Sequence, residues 1–292
     1  LQIRPAKGVH VAIPWLKIRN DCTVTIPVAG RKRRATITRW GNVSYLGTTD
    51  EDYHGDLDDV CCTREELDFL LDGANSALKT QLTAQDVVGS IAGCRPLIGS
   101  PGGKTVELKR NHEIDVAPDG LITIVGGKLT TSRHMAEQTV DVAAKLLGRK
   151  RACSTKSAFL LGAAGYDPQA ILASGGLSAH LGERYGAEAH FVSDLIHANP
   201  ALETPIIAGL PYTEAEVIYA IRHELAGSVD DILSRRLRAR LMARDASATA
   251  ADRVGELLQQ ELNLAPAVVA QQIAAYRAAV KHEKSILMGS AE

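Results

Sequence analysis

The chain has 292 residues, 45% of them hydrophobic and 23% charged, which is enough for two domains with cores of their own and ordinary for a soluble globular protein. A formal net charge of −1 argues against a general nucleic-acid binder, and no apolar run approaches the ~20 residues that a bilayer-spanning helix needs, so any membrane contact is peripheral. Five cysteines, Cys22, Cys61, Cys62, Cys94 and Cys153, are odd in number and lack C-x-x-C spacing, which reads as reduced thiols in a cytoplasmic setting and no metal site.

The first residues carry no signal-peptide pattern, and Gly8 to Pro14 already reads as a strand. Alternating and β-branched residues recur at Thr23 to Pro27, Ala35 to Arg39 and Val43 to Gly47, with turns at Ala29-Gly30 and Trp40-Gly41, the pattern of an antiparallel sheet. The basic run Arg31 to Arg34 sits beside a turn and reads as a solvated hairpin tip. Thr63-Arg64-Glu65-Glu66 is a capping-box start, and Leu67, Leu70, Leu71, Ala74 and Leu78 give the following helix its apolar face. Strands are then expected at Asp86 to Arg95 and at Thr105 to Val116, the second carrying Arg110 and His112, with Ser100-Pro101-Gly102-Gly103 as the loop between them.

Leu121 to Val125 is a short β-branched run that reads as a strand buried on both faces. Gly126-Gly127-Lys128-Leu129-Thr130-Thr131 follows, and then Met135, Ala136, Val140, Ala143, Ala144 and Leu147 recur at helical spacing. In a strand, glycine turn and helix of this kind the backbone can approach a ligand closely, Thr130 or Thr131 can cap the helix, and the free amides suit an anion. The plainer reading is a tight turn with a solvated lysine. Beyond Arg149-Lys150-Arg151 helical spacing prevails, broken near Gly175-Gly176, Asn199-Pro200 and Gly209-Leu210-Pro211, so a separate all-helical domain is expected.

His10, Arg95, Arg110 and Lys128 each lie in, or at the end of, an apolar strand or turn. Singly, such an arginine is more often an ion-pair residue and such a histidine a satisfied core group. Together they would give one pocket three permanent cations and a titratable base. That combination suits oxidation of a phosphorylated alcohol: forked arginine donors and a lysine hold a phosphate of about −1.5 to −2 charge, and an imidazole takes the alcohol proton.

Five stretches in this order, Lys7-Gly8-Val9-His10, Leu46-Gly47-Thr48-Thr49-Asp50, Ala92-Gly93-Cys94-Arg95-Pro96-Leu97, Lys109-Arg110-Asn111-His112 and Gly126 to Arg133, resemble the FAD-dependent, quinone-linked glycerol-3-phosphate dehydrogenases. Tyr212 to Val217 and Ser234 to Arg238 resemble that family's C-terminal helical domain, so the likeness covers nearly the whole chain. It departs at Lys109 to His112, where the family has Ser-Arg-Asp followed by His or Tyr, and at Ser132, where it has an aromatic; the role of His112 is left open.

The resemblance implies an α+β fold: residues 1–120 as part of a substrate domain with an antiparallel sheet, 121–150 as the last strand, loop and helix of a Rossmann-like FAD domain, and 151–292 as the helical domain. It implies His10, Arg95 and Lys128 as catalytic residues that, with Arg110, bind glycerol 3-phosphate. Gly126, Gly127, Lys128, Leu129, Thr130 and Thr131 would lie against the FAD flavin, their amides favouring its reduced form. The reaction would convert sn-glycerol 3-phosphate to dihydroxyacetone phosphate, with electrons passed to a quinone and a peripheral membrane contact or a homodimer compatible with that role. No G-x-G-x-x-G fingerprint occurs in these residues, so the chain is expected to be a fragment lacking the FAD pyrophosphate site, and inactive alone.

Two alternatives stand beside this. One is an oxygen-using glycerol-3-phosphate oxidase or another FAD-dependent oxidase. The other is a non-catalytic binding module acting through Arg235, Arg236, Arg238, Arg240 and Arg244, of which 236, 240 and 244 would share a helical face. The nearby Asp230, Asp231 and Asp245 can pair with those arginines, which argues for a merely solvated face.

Overall fold

A computed structural model describes residues 2–28, 34–99, 111–149 and 151–289. Arg110, Lys109, the 100–103 turn, the Ala29-Gly30 turn and most of the 31–34 basic run therefore lie outside the described residues.

The long strand β1 (Ile3–Pro14) organises the first sheet. Its neighbours are β2 (Val24–Pro27), β3 (Arg34–Trp40), β4 (Val43–Gly47) and the short β5 (Glu51–Asp52), in the order β2-β3-β4-β1-β5, and β6 (Gly89–Ile98) also pairs with β1. The β2–β3 hairpin is antiparallel with Val24 opposite Ile37 and Ile26 opposite Ala35, so Ile26, Ala35 and Ile37 all fall on the buried face. Val9, Val11, Ala12 and Ile13 of β1 have no exposed surface, as a central strand covered on both faces requires.

After the one-turn helix α1 (Trp15–Ile18), helix α2 (Arg64–Ala77) starts as its sequence dictates: the Glu66 amide donates to the Thr63 hydroxyl and the Glu66 carboxylate accepts from the Thr63 amide. Leu67, Leu70, Leu71 and Ala74 are its buried stripe, while Leu78 has already left the helix in an extended conformation. The strand expected from Asp86 starts three residues later, at Gly89. Asp86 instead closes a 3-10 turn, Ala84–Asp86, because its carboxylate accepts from the Thr83 amide at 2.8 Å.

A second sheet holds, among the described residues, β7 (His112–Val116) and β8 (Ile122–Gly126), antiparallel with Ile114 opposite Ile124 and His112 opposite Gly126. The expectation that Leu121 to Val125 is buried on both faces is overturned here. With one partner strand among the described residues, no residue of β8 is fully buried and Leu121 is 64% exposed. Helix α3 (Ser132–Leu146) follows and likewise has no buried residue.

The helices α4 (Pro168–Ser174), α5 (Gly176–Tyr185), α6 (Ala189–Ala198), α7 (Glu214–His223), α8 (Ala239–Met242), α9 (Arg244–Leu262) and α10 (Pro266–Met288) follow, with breaks where glycine and proline place them. The fold class is α+β, as the sequence implies. Backbone contacts divide the chain into two units that interleave in sequence: Leu1–His10, Gly47–Cys61 and Ile91–Phe159 form one, and Val11–Leu46, Cys62–Ser90 and Leu160–Glu292 the other. The core of the second unit includes Leu181, Val192, Val217, Ile232, Leu233, Leu258 and Tyr276.

The expected basic face through 236, 240 and 244 does not form. Asp231–Arg236 is a π-helical turn, Arg238 takes a left-handed φ of 56° and Ala243 is non-helical, so the three arginines sit on three separate pieces. Arg236 donates to the Glu224 carbonyl, Arg240 pairs with Glu283 at 2.8 Å, and Arg244 is 3% exposed beside Asp245. Arg240 and Arg244 are paired internally and Arg236 is tethered by a carbonyl, so the three do not present one shared basic face.

Candidate active site

In the first unit the end of β1 and the turn after β4 build one cluster. The Val9 amide donates to the Thr49 hydroxyl at 3.1 Å, which fixes Leu46-Gly47-Thr48-Thr49-Asp50 beside the Gly8-Val9-His10 strand end. Gly47 is required by contact: a Cβ there would stand 2.3 Å from His10 Cδ2 and 2.7 Å from the Val9 carbonyl oxygen. Arg95, delivered by β6, crosses this turn. Its Nη1 lies 3.4 Å from the Asp50 carboxylate and its Nη2 donates to the Thr48 hydroxyl at 3.3 Å. The Asp50 side chain is 4% exposed and that of Arg95 36%, so a buried anion holds a partly open cation.

His10 and Arg95 are therefore brought together. Burial lowers the His10 pKa from its ordinary value and the Arg95 charge lowers it further, so the imidazole is neutral near pH 7 and able to accept a proton. Lys7 in the same strand is buried at 7% exposure and donates to the Cys61 carbonyl at 3.1 Å, with its ammonium 5.4 Å from the Tyr53 ring centre; its place is structural. Thr48, Thr49 and Asp50 carry parts of the site that residue-by-residue reading of the sequence did not assign. Their motif was visible, but the partner of Asp50 lies 45 positions along the chain.

Lys128 belongs to a different feature of the same unit. It is exposed and lines an open groove of about 760 Å³ with Asn111, His112, Thr131, His134 and Asp141. Gly126 and Gly127 turn with φ of 76° and 80°, and both are close-packed: a Cβ on Gly126 would meet the Asn111 carbonyl oxygen at 2.7 Å, and one on Gly127 the Met135 sulfur at 2.4 Å. Thr131 does not cap α3 with its side chain. Its hydroxyl donates to the Lys128 carbonyl at 2.9 Å and lies 3.3 Å from the Lys128 amide, closing a 3-10 turn over Leu129–Thr131. One amide expected to face a ligand is thus already engaged, while Leu129 and Thr130 stay exposed. His112 faces α3, its Nε2 2.6 Å from Gln138 Oε1, and not the His10 cluster.

Residues 153–268 match the family described as the C-terminal domain of alpha-glycerophosphate oxidase. The chain is 40% identical over 255 residues to Glycerol-3-phosphate dehydrogenase 1 of Mycobacterium tuberculosis, a match covering 84% of this chain and 49% of that protein. It is 34% identical over 292 residues to Glycerol-3-phosphate dehydrogenase 2 of the same organism, covering 97% and 50%. A crystal structure of the glycerol-3-phosphate dehydrogenase from Bacillus halodurans complexed with FAD superposes with a TM-score of 0.79 at 23% identity, covering 99% of this chain and 59% of that one. The chain spans about half the length of the curated relatives it matches, and over that half it is similar to glycerol-3-phosphate dehydrogenases.

Proposed function

We propose that this chain carries the substrate side of an FAD-dependent oxidation of sn-glycerol 3-phosphate to dihydroxyacetone phosphate. The observation that carries the reading is the pairing of a neutral, half-buried His10 with an Arg95 held by buried Asp50. His10 would take the hydroxyl proton of the substrate on its ring nitrogen. Arg95, fixed by Asp50 and Thr48, would hold the phosphate through its forked donors, with Lys128 and Arg110 as further cations.

The residues from Gly126 to Thr131 fit a flat cofactor edge. Two positive-φ glycines with no room for a Cβ bring the backbone to the surface next to exposed Leu129 and Thr130. FAD bound there would supply the two-electron acceptor. The backbone of Gly126, Gly127, Leu129 and Thr130 would orient it, and Lys128 would add positive charge at its edge.

In this reading electrons pass on to a quinone, at a peripheral contact with the cytoplasmic face of a membrane, and a homodimer is compatible with it. Without a G-x-G-x-x-G turn in its 292 residues, the chain alone retains no FAD and turns over no substrate. The test is a chimera joining this chain to the part of the Mycobacterium tuberculosis dehydrogenase 1 that it does not match. The chimera should bind FAD and reduce a quinone analogue with glycerol 3-phosphate, faster than it reduces oxygen, while the chain alone stays colourless. A chimera that holds FAD and leaves glycerol 3-phosphate unoxidised overturns the proposal.

A further inference from the structure

The second unit contains a cavity of about 830 Å³ that shares no residue with the His10 cluster or the Lys128 groove. Its walls come from the β3–β4 turn, α5, the segment before α7, and the π-turn with the residues after it. Buried Glu216 underlies one wall. With no exposed surface, it lies 3.1 Å from His180 Nε2, accepts from the Tyr185 hydroxyl at 3.1 Å and pairs with Arg184 at 3.2 Å, and it caps α7 at the Thr213 amide. His180, Arg184 and Tyr185 all line the cavity, so a single buried carboxylate fixes three of its groups.

The cations are also held by rings. The Arg184 guanidinium lies 5.1 Å from the centre of Tyr212, and that of Arg238 lies 5.3 Å from the centre of Trp40. Arg236 is anchored through Nε and Nη2 on the Glu224 carbonyl. Arg184 and Arg235 are committed to ion pairs, with Glu216 and with Asp230 and Asp231 respectively, whereas among the described residues neither Arg236 nor Arg238 has a carboxylate within ion-pair distance. Two glutamates share the lining: Glu183 is exposed, and Glu224 offers its carbonyl to Arg236. The arginines are stacked or tethered while Glu183 is solvated, so the preorganised charge in the cavity is positive.

We infer that this cavity binds an organic oxyanion, a phosphate or carboxylate carried on an apolar, ring-sized body. Arg236 and Arg238 would take the charged group, and Trp40, Tyr212 and Met242 the apolar part. Free metabolites and lipid headgroups both carry this chemistry.

Trp15 and Trp40 are the two tryptophans of the chain, so a Trp15→Phe background makes Trp40 the reporter. In that background phenyl phosphate or benzoate should change Trp40 emission saturably, with inorganic phosphate weaker. Arg238→Gln and Arg236→Gln should each weaken binding about tenfold or more while leaving the melting temperature near that of the parent. Binding of phenyl phosphate with no retention on phosphatidic acid vesicles assigns a soluble ligand, and retention on vesicles lost in Arg238→Gln assigns a lipid. The inference is overturned if neither probe nor vesicle binds, if benzylamine binds as well as phenyl phosphate, or if both arginine variants bind like the parent.

Discussion

The Arg95 guanidinium fills the space that a side chain at residue 8 would need: a Cβ built on Gly8 would stand 2.5 Å from Nη1 and 2.8 Å from Cζ. These atoms are the far end of a flexible chain, so Gly8→Ala should move Arg95 without disrupting β1. The expected outcome is a variant that folds normally and melts within a few degrees of the parent. Its arginine leaves Asp50 and Thr48, and in the active chimera kcat/KM for glycerol 3-phosphate falls as far as in Arg95→Ala. Losing a charge-assisted contact costs about 1.5–3 kcal/mol, or roughly ten- to a hundredfold. Gly8→Ala kinetics equal to the parent would show that Arg95 is not placed by this contact.

Lys128 is exposed, so removing it tests charge with little risk to the fold. Lys128→Ala in the chimera should lower kcat/KM by roughly tenfold, at the lower end of the range for charge-assisted contacts because the group is solvated. Lys128→Arg should restore part of it. Rates for Lys128→Ala within about twofold of the parent would leave this lysine as an ordinary solvated cation on a glycine turn.

How far the sequence reaches can be argued from single elements. The start of α2 was legible because a capping box is settled within four residues, and Leu67, Leu70, Leu71 and Ala74 followed from periodicity alone. The burial of β8 was not, because composition reports a strand's preference for being covered and not which strands are there to cover it. The face expected through Arg236, Arg240 and Arg244 failed because nothing in Leu237-Arg238-Ala239 announces a left-handed residue. His10 and Arg95 were legible as chemistry-bearing residues in apolar strands; their mutual placement by Thr48 and Asp50 needed the fold.

Folding stability should depend on pH through His10. Burial and Arg95 hold its folded pKa below the unfolded value of 6.5. Above that value the ring is neutral in both states and contributes no slope. As pH falls below it, the unfolded chain takes up a proton that the folded chain refuses, so unfolding becomes more favourable until the folded pKa is also passed. Urea midpoints followed from neutral to acid pH should therefore fall in the parent, and His10→Gln should flatten the decline. Parallel curves for the two proteins would mean that another of the nine histidines carries it.

Glu216 gives a stability prediction within the helical region. It has no exposed surface and serves Thr213, Tyr185, His180 and Arg184 together. Glu216→Ala leaves Arg184, with a side chain 22% exposed, without its counter-charge and removes the α7 cap. Breaking one partner of a buried pair costs about 3–5 kcal/mol, and the partial exposure of Arg184 places this case near 3. Urea unfolding monitored by circular dichroism should show the loss, with Glu216→Gln falling between because it keeps neutral hydrogen bonding. A change under about 1 kcal/mol for the alanine variant would mean that water replaces the carboxylate, and that the pair stabilises little.

The ribbon of β7 and β8 and the helix after it leave apolar side chains uncovered, and this should govern how the chain behaves in solution. Val140 on α3 and Leu147 at its C-terminal cap are 64% and 71% exposed. Leu121 at 64% and Leu129 at 90% add to the uncovered area in the same unit. Exposed apolar side chains of this kind favour association, and among the described residues each strand of the ribbon has one partner, so its outer edges add hydrogen-bonding capacity. Sedimentation velocity should therefore show self-association that grows with concentration and persists in high salt, because its driving force is not ionic. Val140→Glu with Leu147→Glu should reduce it without lowering the melting temperature, since neither side chain is buried in the monomer. If the double variant associates as strongly as the parent, the contact lies elsewhere; if the parent is monomeric at every concentration, the exposed side of α3 does not drive association.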